Sequence, residues 1–521
     1  MKNNPPIMRL AKPMKKGIWR LVFSRIPILL LLMVLQILLF ISIFHWFRRY
    51  APHYAVFDAV FTVLMIVYLF NCRMDSSAKL TWMMLIALFP LPGAGLLLYS
   101  REELGHRWLK AKEKALIQQT QHYLPQNPQT LHRAERESPA TVQLLQYLNR
   151  TGPFPVFTDT EVTYFPLGEN MLEALLPALQ AAKHCVFLEF FIIEEGEMWG
   201  QILDILSRKV QEGVDVRVMY DGLCEISKLP HDYPRRLQSL GIKAKAFSPL
   251  TPLVSTSYNY RDHRKILVID NQVAFTGGVN LADEYINRRS RFGHWKDTAL
   301  MLRGSAVPSL TLLFLQMWNI NEKVPDFSPC RLPCNSVPSP GYVIPYGDNP
   351  LDEDKVGESV YLDMLYRATR YVYIMTPYLI LDGELENALV YAAQRGVDVR
   401  LILPGIPDKK TAYALAKTHF PSLYAAGVHL YTYTPGFVHA KVAVSDDRTA
   451  VVGTINLDYR SLYHHFECAV YLDLVSCIAT IRRDFLHTQR QCAAVTAETI
   501  QQEKLGYKLL GTMLKFVAPL M

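Results

Sequence analysis

His263-Arg264-Lys265-Ile266-Leu267-Val268-Ile269-Asp270 is matched later in the chain by His439-Ala440-Lys441-Val442-Ala443-Val444-Ser445-Asp446. Both stretches fit H-x-K-x-x-x-x-D. One copy of so short a pattern is a weak signal, but here each copy sits inside the same larger pattern. Gly277 and Asn280 follow the first His by fourteen and seventeen residues, and Gly453 and Asn456 follow the second at the same offsets. An acid comes later in each half: Asp297 in Gly293-His294-Trp295-Lys296-Asp297, and Glu467 in His464-His465-Phe466-Glu467. Upstream, Gly213-Val214-Asp215-Val216-Arg217 is echoed by Gly396-Val397-Asp398-Val399-Arg400. The chain is therefore an internal duplication. Its period of about 180 residues is far too long for a solenoid and means duplicated domains.

Ile266 to Ile269 is a short β-branched apolar run bounded by Asp270-Asn271, which predicts a strand ending in a turn. Side chains alternate faces along a strand, so His263 and Lys265 share one face and Asp270 takes the other. His439, Lys441 and Asp446 have the same parity. Asp270 and Asp446 count with the catalytic set as motif members, although their parity assigns them to tying down the strand end or its partner loop.

An imidazole beside an ammonium suits a phosphodiester. Lys265 and Lys441 supply positive charge where phosphate charge builds up. Neutral His263 and His439 can serve as nucleophile or as general acid and base. Asn280 and Asn456 can donate hydrogen bonds to phosphate oxygens. Asp297 and Glu467 are the candidates for orienting the two imidazoles. If the halves pack about a pseudo-twofold axis, one His can attack phosphorus while the other protonates the leaving alcohol, a route that needs neither metal nor cofactor. Neither His has a partner at zinc-ligand spacing, and a nearby ammonium opposes a cation. His464-His465 reads as an ordinary pair, because adjacent strand residues point apart.

These residues resemble the phospholipase D superfamily with its paired HKD motifs, and within it the bacterial cardiolipin synthases, most of all those of Gram-positive bacteria. Further stretches carry the likeness: Thr276-Gly277-Gly278-Val279-Asn280-Leu281, Thr376-Pro377-Tyr378, Pro404-Gly405-Ile406-Pro407-Asp408-Lys409-Lys410, and Gly453-Thr454-Ile455-Asn456-Leu457-Asp458-Tyr459-Arg460-Ser461. The resemblance covers essentially the whole chain. It implies two tandem α/β domains with mixed sheets, His263 as nucleophile and His439 as acid and base. It implies transfer of a phosphatidyl group between two phosphatidylglycerol molecules, giving cardiolipin and glycerol. Position 278 is Gly and position 454 is Thr, where many relatives have Ser, so a hydroxyl near the first motif is absent.

The rest of the chain points to a membrane. Ile26 to Phe44 is an uncharged apolar run long enough to span a bilayer, and Ala55 to Phe70 is a second. Leu80 to Tyr99 is a third, interrupted by Phe89-Pro90-Leu91-Pro92-Gly93, which predicts a bend or re-entrant stretch. The cations Lys2, Arg9, Lys12, Lys15, Lys16, Arg20 and Arg25 place the N-terminus in the cytoplasm; two full spans return the catalytic part there and three would leave it outside, the broken third segment favouring two. The expected organisation is a membrane segment over 1–110, a polar, partly helical region over 111–154, one catalytic half over 155–324, a Pro-rich linker over 325–350 and a second half over 351–521. The formal charge of +8 suits anionic phospholipid. It suits nucleic acid equally, but adjacent spans would hold the site against the bilayer, so no nucleic-acid partner is expected. Arg288, Arg289 and Arg291 are candidates for contacting a second anionic lipid. The eight cysteines include no C-x-x-C and read as free thiols. Two rivals stand beside the synthase: a membrane phospholipase D that uses water or another alcohol, and an inactive lipid-binding scaffold. Retention of both His, both Lys and both Asn argues against the scaffold.

Overall fold

The structure, a computed structural model, describes residues 8–11, 34–36, 38, 42, 51–72, 74–101, 104–249 and 260–520. The first half contributes strands β1 (Thr160–Phe165), β2 (Cys185–Phe190), β3 (Asp215–Asp221), β4 (Lys243–Phe247), β5 (Arg261–Asp262), β6 (Lys265–Ile269), β7 (Val273–Gly277), β8 (His294–Lys296) and β9 (Ala299–Gly304). The second contributes β10 (Tyr342–Asp348), β11 (Tyr371–Met375), β12 (Asp398–Pro404), β13 (His429–Tyr433), β14 (Gly436–Val438), β15 (Val442–Ser445), β16 (Thr449–Gly453), β17 (His465–Asp473) and β18 (Cys492–Ala494).

The first sheet runs β1-β9-β7-β6-β2-β3-β4 and the second β10-β17-β16-β15-β11-β12-β13-β18. As far as β13 the second order follows the first, with β17 doing the work of both β8 and β9, and β18 is an added edge strand. The duplication seen in the sequence is thus a duplication of topology. Each motif strand is an inner strand, antiparallel to both neighbours: β6 between β2 and β7, β15 between β11 and β16.

Both faces of each sheet are covered, as near-continuous apolar strands require. Phe187, Ile266 and Val268 join Tyr373, Val442, Val444 and Val452 in one core shared by the two sheets. Helix Val307–Asn319 adds Leu310, Phe314 and Trp318 to it. The alternate residues Val186, Leu188 and Leu267 face an outer helical layer containing Trp199, Ile202 and Leu206. In the second half Val372, Ile374 and Ala443 do the same against Leu385 and Leu389.

The region expected to be an extended linker over 325–350 ends instead in β10. Pro345 lies within that strand, and β10 is an edge of its sheet, where a missing N–H costs no inner ladder bond. All eight cysteines are free thiols.

Before the sheets come helices α1 (Ala51–Asn71), α2 (Ser76–Leu88) and α3 (Pro90–Arg101). Within α1, His53–Asn71 is long and apolar enough to cross a membrane, and among the described residues it alone is. The expected span over Ile26–Phe44 lies outside the described residues, save 34–36, 38 and 42, which are helical. Among the described residues one candidate span is present and a multi-pass arrangement is not. The third apolar segment breaks where the prolines predicted. Asp75 caps α2 by accepting from Ser77 N and Ala78 N, and Phe89 ends the helix. Gly93 then brings α3 so close to α2 that a Cβ would meet Leu85 O at 3.0 Å.

Candidate active site

Two short strand pairs join the halves, and they do so reciprocally. β5 pairs in parallel with the start of β17, setting Arg261 against His465 and Asp262 against Phe466. β14 pairs in parallel with β8, setting Phe437 against Trp295 and Val438 against Lys296. The registers continue one residue further: His263 N donates to Phe466 O at 2.9 Å and His439 N to Lys296 O at 2.7 Å. Each motif His is thereby laid beside the acid of the opposite half.

His263 Nδ1 lies 2.8 Å from Glu467 Oε1 and 2.9 Å from Oε2, and His439 Nδ1 lies 2.6 Å from Asp297 Oδ2. Both carboxylates are fully buried. A carboxylate on Nδ1 makes that nitrogen the donor and leaves Nε2 as the free lone pair. Lys265 Nζ donates to His263 O and Lys441 Nζ to His439 O, so each ammonium is folded back onto its own motif.

The electrostatics follow from burying cations together. Burial first, then Lys265 and Lys441, hold His263 well below the ordinary imidazole value. Burial and Lys441 bring His439 down to about 4, while Asp297 pulls it upward. Burial also lowers Lys265 to about 8 and Lys441 to about 7. Burial works to raise Asp297, but His439 and Lys441 win and hold it below the usual range. Both imidazoles are therefore neutral at neutral pH, with the two lysines poised near their own transitions.

The remaining predicted residues divide. Asn280 and Asn456 are buried. Asn280 Oδ1 accepts from Ile192 N at 3.0 Å and Nδ2 donates to Tyr285 Oη at 2.8 Å, so its amide is already held by the protein. Asn456 Oδ1 has no hydrogen-bond partner among the described residues. Asp270 and Asp446, counted with the catalytic set, do not reach it. Asp270 ends β6 at the far end from His263 and accepts from the backbone N of Lys183, His184 and Cys185 at 2.7–2.8 Å. Asp446 does the same for Thr369, Arg370 and Tyr371 in the second half. They pin the motif strand to the turn before its antiparallel neighbour, β2 or β11, the role that strand parity gave them.

The departures at 278 and 454 have a cause. A Cβ on Gly278 would stand 2.0 Å from Asp297 Oδ1, so glycine makes room for that carboxylate. Thr454 Oγ1 donates to Glu467, bracing the acid from behind. Arg289, expected to meet lipid, is engaged internally: Nη1 lies 2.9 Å from Glu194 Oε1, and Nη2 meets Glu284. Arg288 and Arg291 remain on the surface.

His465, which the sequence reading set aside, belongs to the site. Its ring centroid lies 5.4 Å from that of His263, it is 8% exposed, its Nδ1 lies 3.6 Å from Glu467 Oε1, and among the described residues neither ring nitrogen has a partner within hydrogen-bond distance. The residue at the equivalent place in the other half is Trp295, 5.5 Å from His439. The offset of two residues before the acid was legible in both halves, and strand parity puts that residue on the acid's own face. His263, His465 and Glu467 bring ligand-type atoms within 4.8 Å of one another. The electrostatics there disfavour a cation, since Lys265 and Lys441 already press on His263.

A second asymmetry lies behind the first motif. Arg264 Nη2 meets Glu189 Oε1 at 2.7 Å and its backbone N donates to Asp262 Oδ1 at 3.2 Å, all three residues being buried. The topological equivalents are Ala440, Met375 and Val438, an apolar set.

The sequence relationships agree with this geometry. Residues 175–291 and 361–488 match the family described as cardiolipin synthase, phospholipase D-like domain. An uncharacterised protein of Streptococcus mutans is 55% identical over 88% of this chain and 99% of its own length. A cardiolipin synthase of Geobacillus kaustophilus is 33% identical over 85% of this chain and 88% of its own. Among solved structures, phosphatidylserine synthase of Haemophilus influenzae shares the fold, with a TM-score of 0.55 at 14% identity over 73% of this chain and 97% of that one. Two topologically equal halves, exchanging acids across two H-x-K motifs, are thus found in a chain that belongs to the cardiolipin synthase family of phospholipase D-like phosphatidyltransferases.

Proposed function

We propose that this chain is a cardiolipin synthase working at the membrane by two displacements at phosphorus. The carrying observation is the pair of reciprocal contacts, His263 with Glu467 and His439 with Asp297. Each fixes a tautomer whose Nε2 is free to act.

In the first step His263 Nε2 attacks the phosphorus of phosphatidylglycerol. The P–N bond forms, the P–O bond to the headgroup glycerol breaks, and His439, which takes up a proton on Nε2 when the anionic phosphodiester binds, gives that glycerol its proton. In the second step a hydroxyl of another phosphatidylglycerol attacks the phosphohistidine. His439 takes its proton, the P–N bond breaks, and cardiolipin leaves. Lys265 and Lys441 stabilise charge on the phosphoryl oxygens in both steps. The assignment of roles has a physical basis: burial and neighbouring cations keep His263 neutral, as a nucleophile must be, while at His439 the Asp297 carboxylate works against the burial and Lys441 that bring it down to about 4. A bound phosphodiester adds negative charge and acts in the same direction as Asp297. Asn456, whose carboxamide oxygen has no partner among the described residues, is available to accept from a headgroup hydroxyl. We propose further that helix α1 anchors the enzyme and that the catalytic halves face the cytoplasm.

The test is purified enzyme in detergent with phosphatidylglycerol as sole lipid, beside His263→Ala, read by lipid mass spectrometry. Cardiolipin plus glycerol, absent in the variant, is the expected result. Phosphatidic acid without cardiolipin would make water the acceptor and the enzyme a phospholipase D. No turnover of any phosphodiester would favour a scaffold.

A further inference from the structure

The C-terminal helix Leu505–Val517 carries two apolar faces, and the protein covers one. Gly511 lies so close to helix Lys410–Lys417 that a Cβ would meet Ala414 O at 2.6 Å. Leu514 packs against a cluster of Leu415, Tyr459 and Ala518. The other face is open: Leu505 is 70% exposed, Leu509 57%, Met513 75% and Phe516 38%. Their offsets of four, eight and eleven residues place them in one arc of a helix. Lys508 and Lys515 border that arc, Lys504 precedes it, and no Asp or Glu occurs from Leu505 onward. An exposed apolar arc edged by lysines is the pattern of a helix lying in a membrane interface.

The fold makes this arc continuous with the N-terminal apolar helices. Thr81 Oγ1, on α2, donates to Phe516 O at 2.9 Å. On α2 itself Leu80 is 60% exposed, Met84 45% and Leu88 65%, again at intervals of four. α2 in turn packs against α1 through Trp82, Ile86 and Leu69.

We propose that the C-terminal helix is a second membrane attachment, lying in the interface of a bilayer that contains anionic phospholipid. This rests on reading the chain as a membrane enzyme. The apolar arc enters the acyl boundary and the lysines meet the headgroup phosphates. With α1 at one end of the chain and this helix at the other, the catalytic halves have a fixed tilt over the lipid surface rather than a single tether.

Photo-cross-linking tests it with the full chain in vesicles of equal parts phosphatidylglycerol and phosphatidylcholine. p-Benzoylphenylalanine is placed singly at Leu509, Met513, Val63 of α1, and Tyr391, an exposed residue of helix Gly383–Gln394. The expected result is a lipid-sized mass increase at Leu509 and Met513, as at Val63, with none at Tyr391. Lipid adducts at Val63 but not at Leu509 and Met513 would overturn the proposal. Cross-links from Met513 to a second copy of the chain would overturn it too, making the face a protein contact. Cardiolipin is measured in the same vesicles: adducts at Leu509 and Met513 without cardiolipin support the attachment and overturn the reaction instead.

Discussion

Glu467 holds Nδ1 of His263 at 2.8 Å across a separation of 204 residues, and the two belong to opposite halves. A carboxylate so placed acts on catalysis through tautomer and orientation. Glu467→Gln is expected to lower kcat by about 10²–10⁴-fold, the range ascribed to general acid–base contributions, with little change in KM. Asp297→Asn should do the same through His439. A large rise in KM with kcat unchanged would mean that the acids serve binding alone.

The two histidines should separate by leaving group. With a phosphodiester bearing p-nitrophenol, the first displacement needs no proton donor, because that alcohol leaves as an anion near neutral pH. His439→Ala should then accumulate a phosphohistidine at position 263, seen as a mass increase after rapid quenching. His263→Ala should give none. Adduct at position 439 in the His263 variant would reverse the assignment.

Gly278→Ala should cost activity out of proportion to its size. The added methyl would meet Asp297 Oδ1 at 2.0 Å, so the carboxylate must leave His439. A fall in kcat of tenfold or more is expected with the protein still folded by circular dichroism. Unchanged kcat would show that Asp297 has room to yield without releasing the imidazole.

The pH profile has a sign that can be worked out. Lys441 loses its proton at about 7 and Lys265 at about 8, so kcat/KM should decline as pH rises through that window. Lys441→Arg keeps its charge far above this window, so the variant's alkaline limb should move upward even if its peak rate falls. A limb that stays in place would assign it to some other group.

The buried Glu189–Arg264 pair predicts a stability difference. Arg264→Ala leaves Glu189 and Asp262 as uncompensated buried acids and should cost about 3–5 kcal/mol. The triple change Glu189→Met, Asp262→Val, Arg264→Ala installs the residues of the other half and should recover most of that loss in denaturant unfolding. Failure of the triple variant to exceed the single one would mean that the charges are needed for packing peculiar to the first half.

Much of this was legible in the residues because it is local. The motif strands, the parallel neighbour after each helix and the break at Phe89 follow from alternation, β-branching and proline. Strand parity turned Asp270 and Asp446 away from His263 and His439, and they are found bracing backbone N–H groups. What was not legible is set by long-range pairing. Nothing near His263 says that its acid comes from Glu467 rather than Asp297; that depends on β5 docking on β17. Pro345 argued for a linker because position in a sheet, here an edge, is invisible to local sequence. His465 was passed over beside His464, although its offset from Glu467 matches that of Trp295 from Asp297.

The exchange of β5 and β14 also bears on how such a chain can arise. A lone half would carry an imidazole without its carboxylate, and a carboxylate with nothing to hold. A chain of half the length would therefore need a second, identical copy of itself to complete either contact. Within one chain that identity is not imposed. Glu189 can then face Arg264 on one side while Met375 stands at the equivalent place beside Ala440 on the other, and the two motif imidazoles can keep different companions, His465 for one and Trp295 for the other.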